Sequence, residues 1–413
     1  MISRTQKRLI LGRITDILSQ NESFVALCPE KGTLFAECSY TAIGTKSTNS
    51  KHMPVSIDQT VRTCNSWPRE GAEVPGRILD IPEIWPAGKP QDPEKLTLAL
   101  GVLGAQQLAT WPEYAARGGG LDKLQYEQVA VGGAHVLVQF NPGRSQRPNS
   151  HTNMKITPEN CFLSPGNQPE EERAIIVDDV LISVNPFPLS PEQFVVSSRT
   201  HEPQTLRSQL TAMLRLAKAI RGNGTLGYNG AVNGGASNPE HAHMHIVPDL
   251  PIEAGLAKSG LGKALLSRNG VDIYMPRGLI ASQIVVRGSE PKAVQNTMLR
   301  LADRLRVTDE REARMNVTAR YNGKSTVFQA ILTPRNEAST EVECMTSGEG
   351  DKPEPVTFPL NPAFAEMSGL IILPFEKGDI RVTERVVRQI FKTTTLGYDE
   401  TRATLGNLRS LAA

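Results

Sequence analysis

The chain has 413 residues, 39% hydrophobic and 21% charged, and its 45 basic and 43 acidic side chains leave a net charge of +2. That length suits two or three domains with sizeable cores, and a charge this close to balance argues against bulk electrostatic binding to nucleic acid or to a membrane surface. No apolar run reaches the roughly 18 residues of a membrane span, and five scattered cysteines give no disulfide framework, so a reducing cytoplasm is the expected compartment.

In chain order, MISRTQKRLILGRITDIL reads as an amphipathic helix rather than a signal peptide. Ser23–Cys28 and Thr33–Cys38 flank Pro29-Glu30-Lys31-Gly32 as a hairpin would. Residues 43–75 are polar and predict a long surface loop, and Pro82 to Pro93 an extended linker. Residues 1–100 thus form an N-terminal extension without a chemical motif; Cys28, Cys38 and Cys64 lack metal-ligand spacing. Lys95–Trp111 has helical periodicity, and Ala134–Phe140 is a strand entering a Gly/Pro turn that carries Arg144 and Arg147. Arginines in such a turn suit fork-like binding of phosphate, or simply solvent. Val177–Val184 predicts a strand running into Asn185-Pro186-Phe187-Pro188, an extended turn, and Gln193–Ser198 the next strand. A helix opens at Pro203 and runs to about Ile220, with Leu206, Leu210, Met213, Leu214 and Ala217 on its core face.

The chemistry concentrates in 226–250. His241-Ala-His243-Met-His245 alternates imidazoles with apolar residues, which on a strand points the three rings one way. Three of the chain's seven histidines fall within five residues. Upstream, Gly234-Gly235-Ala236-Ser237 is a loop whose backbone N–H groups can approach an anion. A phosphate cradle beside aligned imidazoles suits phosphoryl or nucleotidyl transfer; a metal site is the alternative.

A weakened repeat follows. Gln193-Phe-Val-Val and Glu202-Pro203 recur as Gln283-Ile-Val-Val and Glu290-Pro291, Met213-Leu-Arg-Leu-Ala217 as Met298-Leu-Arg-Leu-Ala302, and Tyr228-Asn229-Gly230 as Tyr321-Asn322-Gly323. The strand ending at Pro248 recurs as Val327–Pro334, with Gln329 at the place of His243. Further on, 252–269 predicts helix and loop, 336–356 a flexible acidic loop, Ser368–Pro374 a buried strand, and Val382–Thr394 a last helix before a polar tail.

The stretch His-x-His-x-His followed by two apolar residues resembles the histidine-triad superfamily. GGASNPE resembles the branch of galactose-1-phosphate uridylyltransferases, diadenosine tetraphosphate phosphorylases and GDP-hexose phosphorylases, many of which carry Gln where this chain has His245. The resemblance spans roughly 101–390. It implies an α+β fold of duplicated units, each an antiparallel sheet with helices packed on it: a catalytic unit at 101–250 and a degenerate second unit at 251–413. Pairing the two internally predicts a monomer. The resemblance also implies nucleotide contacts for Arg147, less securely Arg144, and for Asn185 and Phe187. Cys161-Phe-Leu-Ser164-Pro-Gly-Asn resembles the branch's Cys-x-x-Cys-Pro-Gly-Asn, whose cysteines hold a structural zinc, with His201 and His241 near its other ligands. Ser164 replaces the second cysteine and is a poor zinc ligand, so no metal and no cofactor are expected.

The mechanism this predicts has His243 as nucleophile, forming a covalent nucleotidyl-histidine, with its other ring N–H held by a backbone carbonyl. His245 would donate to a phosphate oxygen, and His241 either to the phosphates or to its neighbours' orientation. Gly235, Ala236 and Ser237 would donate to developing charge, and Asn229 would position the leaving side. The expected donor is a nucleoside diphosphate sugar or dinucleoside polyphosphate, and the acceptor phosphate or a sugar phosphate. Hydrolysis, favoured by His245, and an inert nucleotide-binding module are the alternatives.

Overall fold

The computed structural model describes residues 92–407 apart from 119–120, 122–123, 133, 147–155, 191–192, 248–249, 251–259 and 348–352. Before them it describes 78–81, 85 and the short strands 24–28, 33–37, 54–56 and 62–64. The helix expected at the N-terminus and most of the Pro82–Pro93 linker lie outside the described residues.

Twelve described strands form the main sheet. In chain order they are β1 (Arg62–Cys64), β2 (Ile78–Asp80), β3 (Ala174–Val177), β4 (Val180–Val184), β5 (Phe194–Ser198), β6 (Thr225–Asn229), β7 (His243–Val247), β8 (Leu266–Arg268), β9 (Val271–Tyr274), β10 (Ile284–Gly288), β11 (Met315–Asn322) and β12 (Val327–Pro334). Their spatial order is β8-β9-β10-β12-β11-β6-β7-β5-β4-β3-β2-β1. Every pair is antiparallel except β2 with β3. The architecture is therefore α+β, an antiparallel-dominated sheet with helices packed on one face.

The order is palindromic about the β6–β11 pair. Helix α1 (Leu96–Thr110) precedes β3 in the chain. Strands β3 to β7, with helix α2 (Leu206–Ile220) between β5 and β6, and strands β8 to β12, with helix α3 (Pro291–Leu305) between β10 and β11, follow the same path. Thr205 caps α2 by accepting the Ser208 N–H, and Arg221 ends it in the left-handed conformation. Both helices bury their apolar stripes on one side of the sheet. Phe194, Val196, Leu226, Met244 and Ile246 of the first unit join Ile284, Val286, Val317, Ala330 and Leu332 of the second in one core. The strand period of two leaves His243 and His245 on the opposite face.

Register makes the repeat explicit. Ser197 pairs with His243 and Val195 with His245; Arg287 pairs with Gln329 and Val285 with Ile331. Gln329 thus occupies the second unit's equivalent of the His243 position. Gly227 pairs with His245, and Thr318 with Ile331. The equivalent of Tyr228-Asn229 is consequently Ala319-Arg320, two residues before the Tyr321-Asn322 that the sequence match selects. A slip of two keeps every side chain on its face, so the alternating pattern could not detect it. The structural cause is loop length: β6 and β7 are separated by 230–242, β11 and β12 by 323–326.

Other expectations fail locally. Val177–Val184 is a hairpin rather than one strand, because Asp178 turns the chain with φ 51°. Within 43–75 the short strands Pro54–Ser56 and Arg62–Cys64 form. Within 336–356, Thr340–Thr346 pairs with Pro355–Leu360, since Val342 and Cys344 alternate inward among the charges. The polar tail contains a further helix, Tyr398–Leu405, that buries Leu405. Phe24–Cys28 and Thr33–Glu37 pair as the hairpin expected. Ala134–Phe140 belongs to a separate sheet, parallel to Leu370–Leu373 and antiparallel to Gln125–Val131.

Candidate active site

His243 opens β7, and its surroundings fix it twice. Its backbone is clamped by Gln204, which accepts the His243 N–H at 2.6 Å and donates Nε2 to the His243 carbonyl at 2.8 Å and to the Asn229 carbonyl at 2.9 Å. Gln204 is fully buried, so a side chain unable to bond both ways would leave buried backbone groups unpaired, at about 1–3 kcal/mol each. The ring is oriented by Nδ1, 2.8 Å from the His241 carbonyl. A carbonyl only accepts, so Nδ1 carries the hydrogen in the neutral ring and Nε2 carries the lone pair. His243 is 2% exposed.

The three imidazoles do not act as one row. His243 and His245 meet edge to face at 5.6 Å between centroids, and His245 stacks on Phe364 at 5.4 Å. His241 turns to other partners. Its Nε2 lies 2.9 Å from the Ser198 carbonyl and its Nδ1 3.2 Å from Cys161 Sγ, and it is fully buried. Of its two expected roles, the geometry fits orientation of His243 through its carbonyl. The alternation breaks because regular pairing begins only at His243, while Ala242 is tied to Glu202 and Ser198.

The glycine loop needs its glycines. A Cβ on Gly234 would lie 2.3 Å from the Gly230 nitrogen, and Gly235 adopts φ 77°. The amides of Gly235, Ala236 and Ser237 donate to no acceptor among the described residues. Glu312 anchors the loop's start, accepting from the Ala231 N–H at 2.6 Å, the Leu206 N–H at 2.8 Å and the Tyr228 hydroxyl at 2.8 Å. Burial raises its pKa against the pull of those donors. From the second unit, Asn316 donates to the Gly234 carbonyl at 2.7 Å and to Asn229 Oδ1 at 2.8 Å. The buried Arg335, lowered by burial to about 10, donates in turn to Asn316 Oδ1. Asn229 Oδ1 also accepts the Phe364 N–H, so Asn229 pins the scaffold with its carbonyl, and its Nδ2 donates to no acceptor among the described residues.

The proline turn is tied down from the neighbouring sheet. Asn185 Oδ1 accepts the Phe187 N–H, Arg144 donates to the Phe187 carbonyl at 2.8 Å, and Gln139 donates to the Leu189 carbonyl at 3.0 Å. Arg117 lies 4.4 Å over the Phe187 ring. Leu189 packs in one apolar cluster with Val247 and Phe364, bringing the turn beside β7. Arg144 thus braces the turn, and Arg147 lies outside the described residues.

Cys161, His201 and His241 offer ligand atoms within 4.8 Å of one another. The lone pair of His241 Nδ1 faces Cys161 Sγ, and His201 Nε2 is buried with no hydrogen-bond partner. Burial pushes the Cys161 thiol up, but its contacts with the His241 ring and Ser164 bring it down to about 7. These donors fit a tetrahedral zinc with the Ser164 position or water as fourth partner; the ion would serve to tie the 161–167 turn to β5 and β7.

Sequence reasoning missed Gln204, Glu312, Asn316, Arg335 and Phe364. Each acts from outside the motif through contacts made only by folding, and no spacing rule marks them. Glu312 is hidden further by its neighbours, since it sits in the charged run Asp309-Glu310-Arg311-Glu312-Ala313-Arg314 between α3 and β11.

A family model described as a domain of unknown function, DUF4922, matches residues 103–248, which include the triad and the proline turn. No curated protein matches the chain. Among solved structures, the yeast Ap4A phosphorylase in complex with Ap4A is similar at 12% identity and TM-score 0.42, covering 70% of this chain and 97% of that one. A second structure of the same yeast protein gives 13%, 0.41, 69% and 93%. A DUF4931 family protein of Bacillus cereus gives 14%, 0.31, 38% and 83%. Likenesses this distant assign neither substrate nor reaction.

Proposed function

We propose that the chain is a nucleotidyltransferase or phosphorylase of the histidine-triad kind, with 101–250 as catalytic unit, 251–413 as a degenerate partner unit and 1–100 as an extension. The observation that carries this reading is the 2.8 Å contact of His243 Nδ1 with the His241 carbonyl, which leaves the lone pair on Nε2. In the proposed first step Nε2 attacks the α-phosphorus of a nucleoside diphosphate sugar or dinucleoside polyphosphate. A nitrogen–phosphorus bond forms, the bond to the bridging oxygen breaks, and the leaving phosphate takes the electron pair. The imidazole becomes cationic, and the His241 carbonyl stabilises the Nδ1–H that bears part of that charge. In the second step a phosphate or sugar-phosphate oxygen attacks the same phosphorus and His243 returns to neutral.

The amides of 235–237 and Asn229 Nδ2 are the donors proposed for the phosphate oxygens, and the Asn185–Phe187 turn the place for the nucleoside. His245 favours a second reading, hydrolysis. Its imidazole can pass a proton to a leaving group or from water, which the amide of Gln cannot. Product analysis with and without phosphate separates them. Transfer predicts that added phosphate raises the rate and yields a nucleoside diphosphate. Products and rate indifferent to phosphate would establish hydrolysis, and no turnover in either condition would contradict both.

A further inference from the structure

The second half of the chain reaches the candidate site at one residue that the proposed steps leave unassigned, Phe364. It opens the short helix Phe364–Met367 and is 3% exposed. Three residues of the first unit converge on it. Asn229 Oδ1 accepts its N–H at 2.8 Å, the bare Cα of Gly227 faces its ring, and the His245 imidazole stacks on that ring with 5.4 Å between centroids and 21° between planes. The Phe364 carbonyl is held as well, accepting the Ser368 N–H at 3.0 Å and the Ser368 hydroxyl at 2.7 Å.

The glycine shows that this approach is built in. Gly227 pairs with His245 across β6 and β7. It is not in the left-handed region, so no turn requires a glycine there. A Cβ would lie 2.3 Å from two atoms of the Phe364 ring, so space for the ring is what the missing side chain provides. At the equivalent place in the second unit Thr318 pairs with Ile331, and a β-branched side chain offers no such opening.

The consequence falls on His245. The second torsion of a histidine side chain is broad, so the plane of its ring is set by neighbours. Two rings set it here. Phe364 lies along one face in a near-parallel stack, and His243 meets His245 edge to face at 5.6 Å and 86°. A quarter turn of the imidazole would give up both arrangements. The stack fixes the plane, and polar contacts choose which edge points where.

We propose that Phe364 is a positioning residue: its ring, seated over Gly227, holds the His245 imidazole in the plane from which it serves the phosphate at His243. This rests on the reaction assigned to His243 and adds that the second unit, without a histidine of its own, fixes one of the donors. A donor held ready for the transition state acts on kcat more than on KM.

The test is a double-variant cycle on the full-length protein. It uses Phe364→Leu, which keeps an apolar side chain and removes the ring, and His245→Ala. Phe364→Leu alone should lower kcat about tenfold, with KM within about twofold of wild type. Added to His245→Ala it should lower kcat by less than about twofold further, because the group it positions is gone. Equal falls in the two backgrounds would show that Phe364 only packs, and would overturn the proposal. A second readout needs no turnover. In protein labelled with carbon-13 at histidine, Phe364→Leu should move or broaden the ring signal of His245, assigned by its loss in His245→Ala, while that of the exposed His135 stays. An unmoved His245 signal would overturn the proposal. No turnover in wild type, with the ring response intact, would instead overturn the reaction assigned to His243 and leave the positioning of the ring supported.

Discussion

The two halves of the main sheet share strand order, helix placement and register, yet only one carries a histidine at the central position, where the other has Gln329. In the first, thirteen residues separate β6 from β7, room for the 230–242 loop with its glycines; in the second, four residues close the hairpin. In the first, Gly227 lies beside His245 and its bare Cα admits the Phe364 ring; in the second the equivalent residue is Thr318. The scaffold tolerates either set, because the packed face is the same in both. The difference is confined to one loop and one sheet face, and the partner unit holds that loop through the side chains of Asn316 and Glu312, with Arg335 bracing Asn316.

Breaking the nucleophile should widen the contrast least in stability and most in rate. His243→Ala is expected to lower turnover by about 10³-fold or more, measured by product release. Gln329→Ala, at the matching position, should leave turnover within about twofold of wild type. Gln204→Ala comes next. With the clamp gone, turnover should fall roughly 10²-fold as the ring loses its position, and stability by about 1–3 kcal/mol per stranded group, read by denaturant unfolding. Rescue of the rate by Gln204→Glu is not expected, because a carboxylate cannot donate to the two carbonyls.

A smaller effect tests the close approach at the unit boundary. A Cβ on Gly227 would lie 2.3 Å from the Phe364 ring, so Gly227→Ala should cost about 1–3 kcal/mol by overpacking. Thr318→Ala, at the equivalent position, should cost about 1 kcal/mol, the value of a lost buried methyl. Equal costs would show that the two units pack alike there.

The smallest effect is a pH dependence. Burial holds the Glu312 pKa above its ordinary value of 4.5. The folded state therefore keeps the proton that the unfolded state releases, and Glu312's contribution to stability is fully present below the unfolded value. It declines as pH rises through the folded one. Glu312→Gln removes the titration. The stability difference, wild type minus variant, should fall as pH rises from about 4.5, measured by melting temperature across pH.

Much of this was legible before folding, and the rest has identifiable causes. The apolar stripe of α2 and the alternation of β5 and β7 followed from period alone, and the request of His243 for a carbonyl partner followed from the chemistry of a neutral imidazole. The hairpin at Asp178 was read as one strand because a two-residue turn between apolar runs leaves no Gly or Pro to mark it. The strand at Thr340–Thr346 hid behind glutamates that fill its outer positions. His241 was read as part of the row because alternation says nothing about where pairing begins. Gln204 and Arg335 are invisible because all or most of their partners are backbone carbonyls and amides, and a sequence does not name which carbonyl a side chain will reach.

The most direct test of the central claim is the intact mass of the protein after incubation with nucleotide sugars and dinucleoside polyphosphates, without phosphate and quenched without acid. The account predicts an added nucleoside monophosphate on wild type, absent in His243→Ala, its mass naming the base. An adduct of equal yield on both proteins, or none on wild type together with no released product, would contradict a nucleophile at His243.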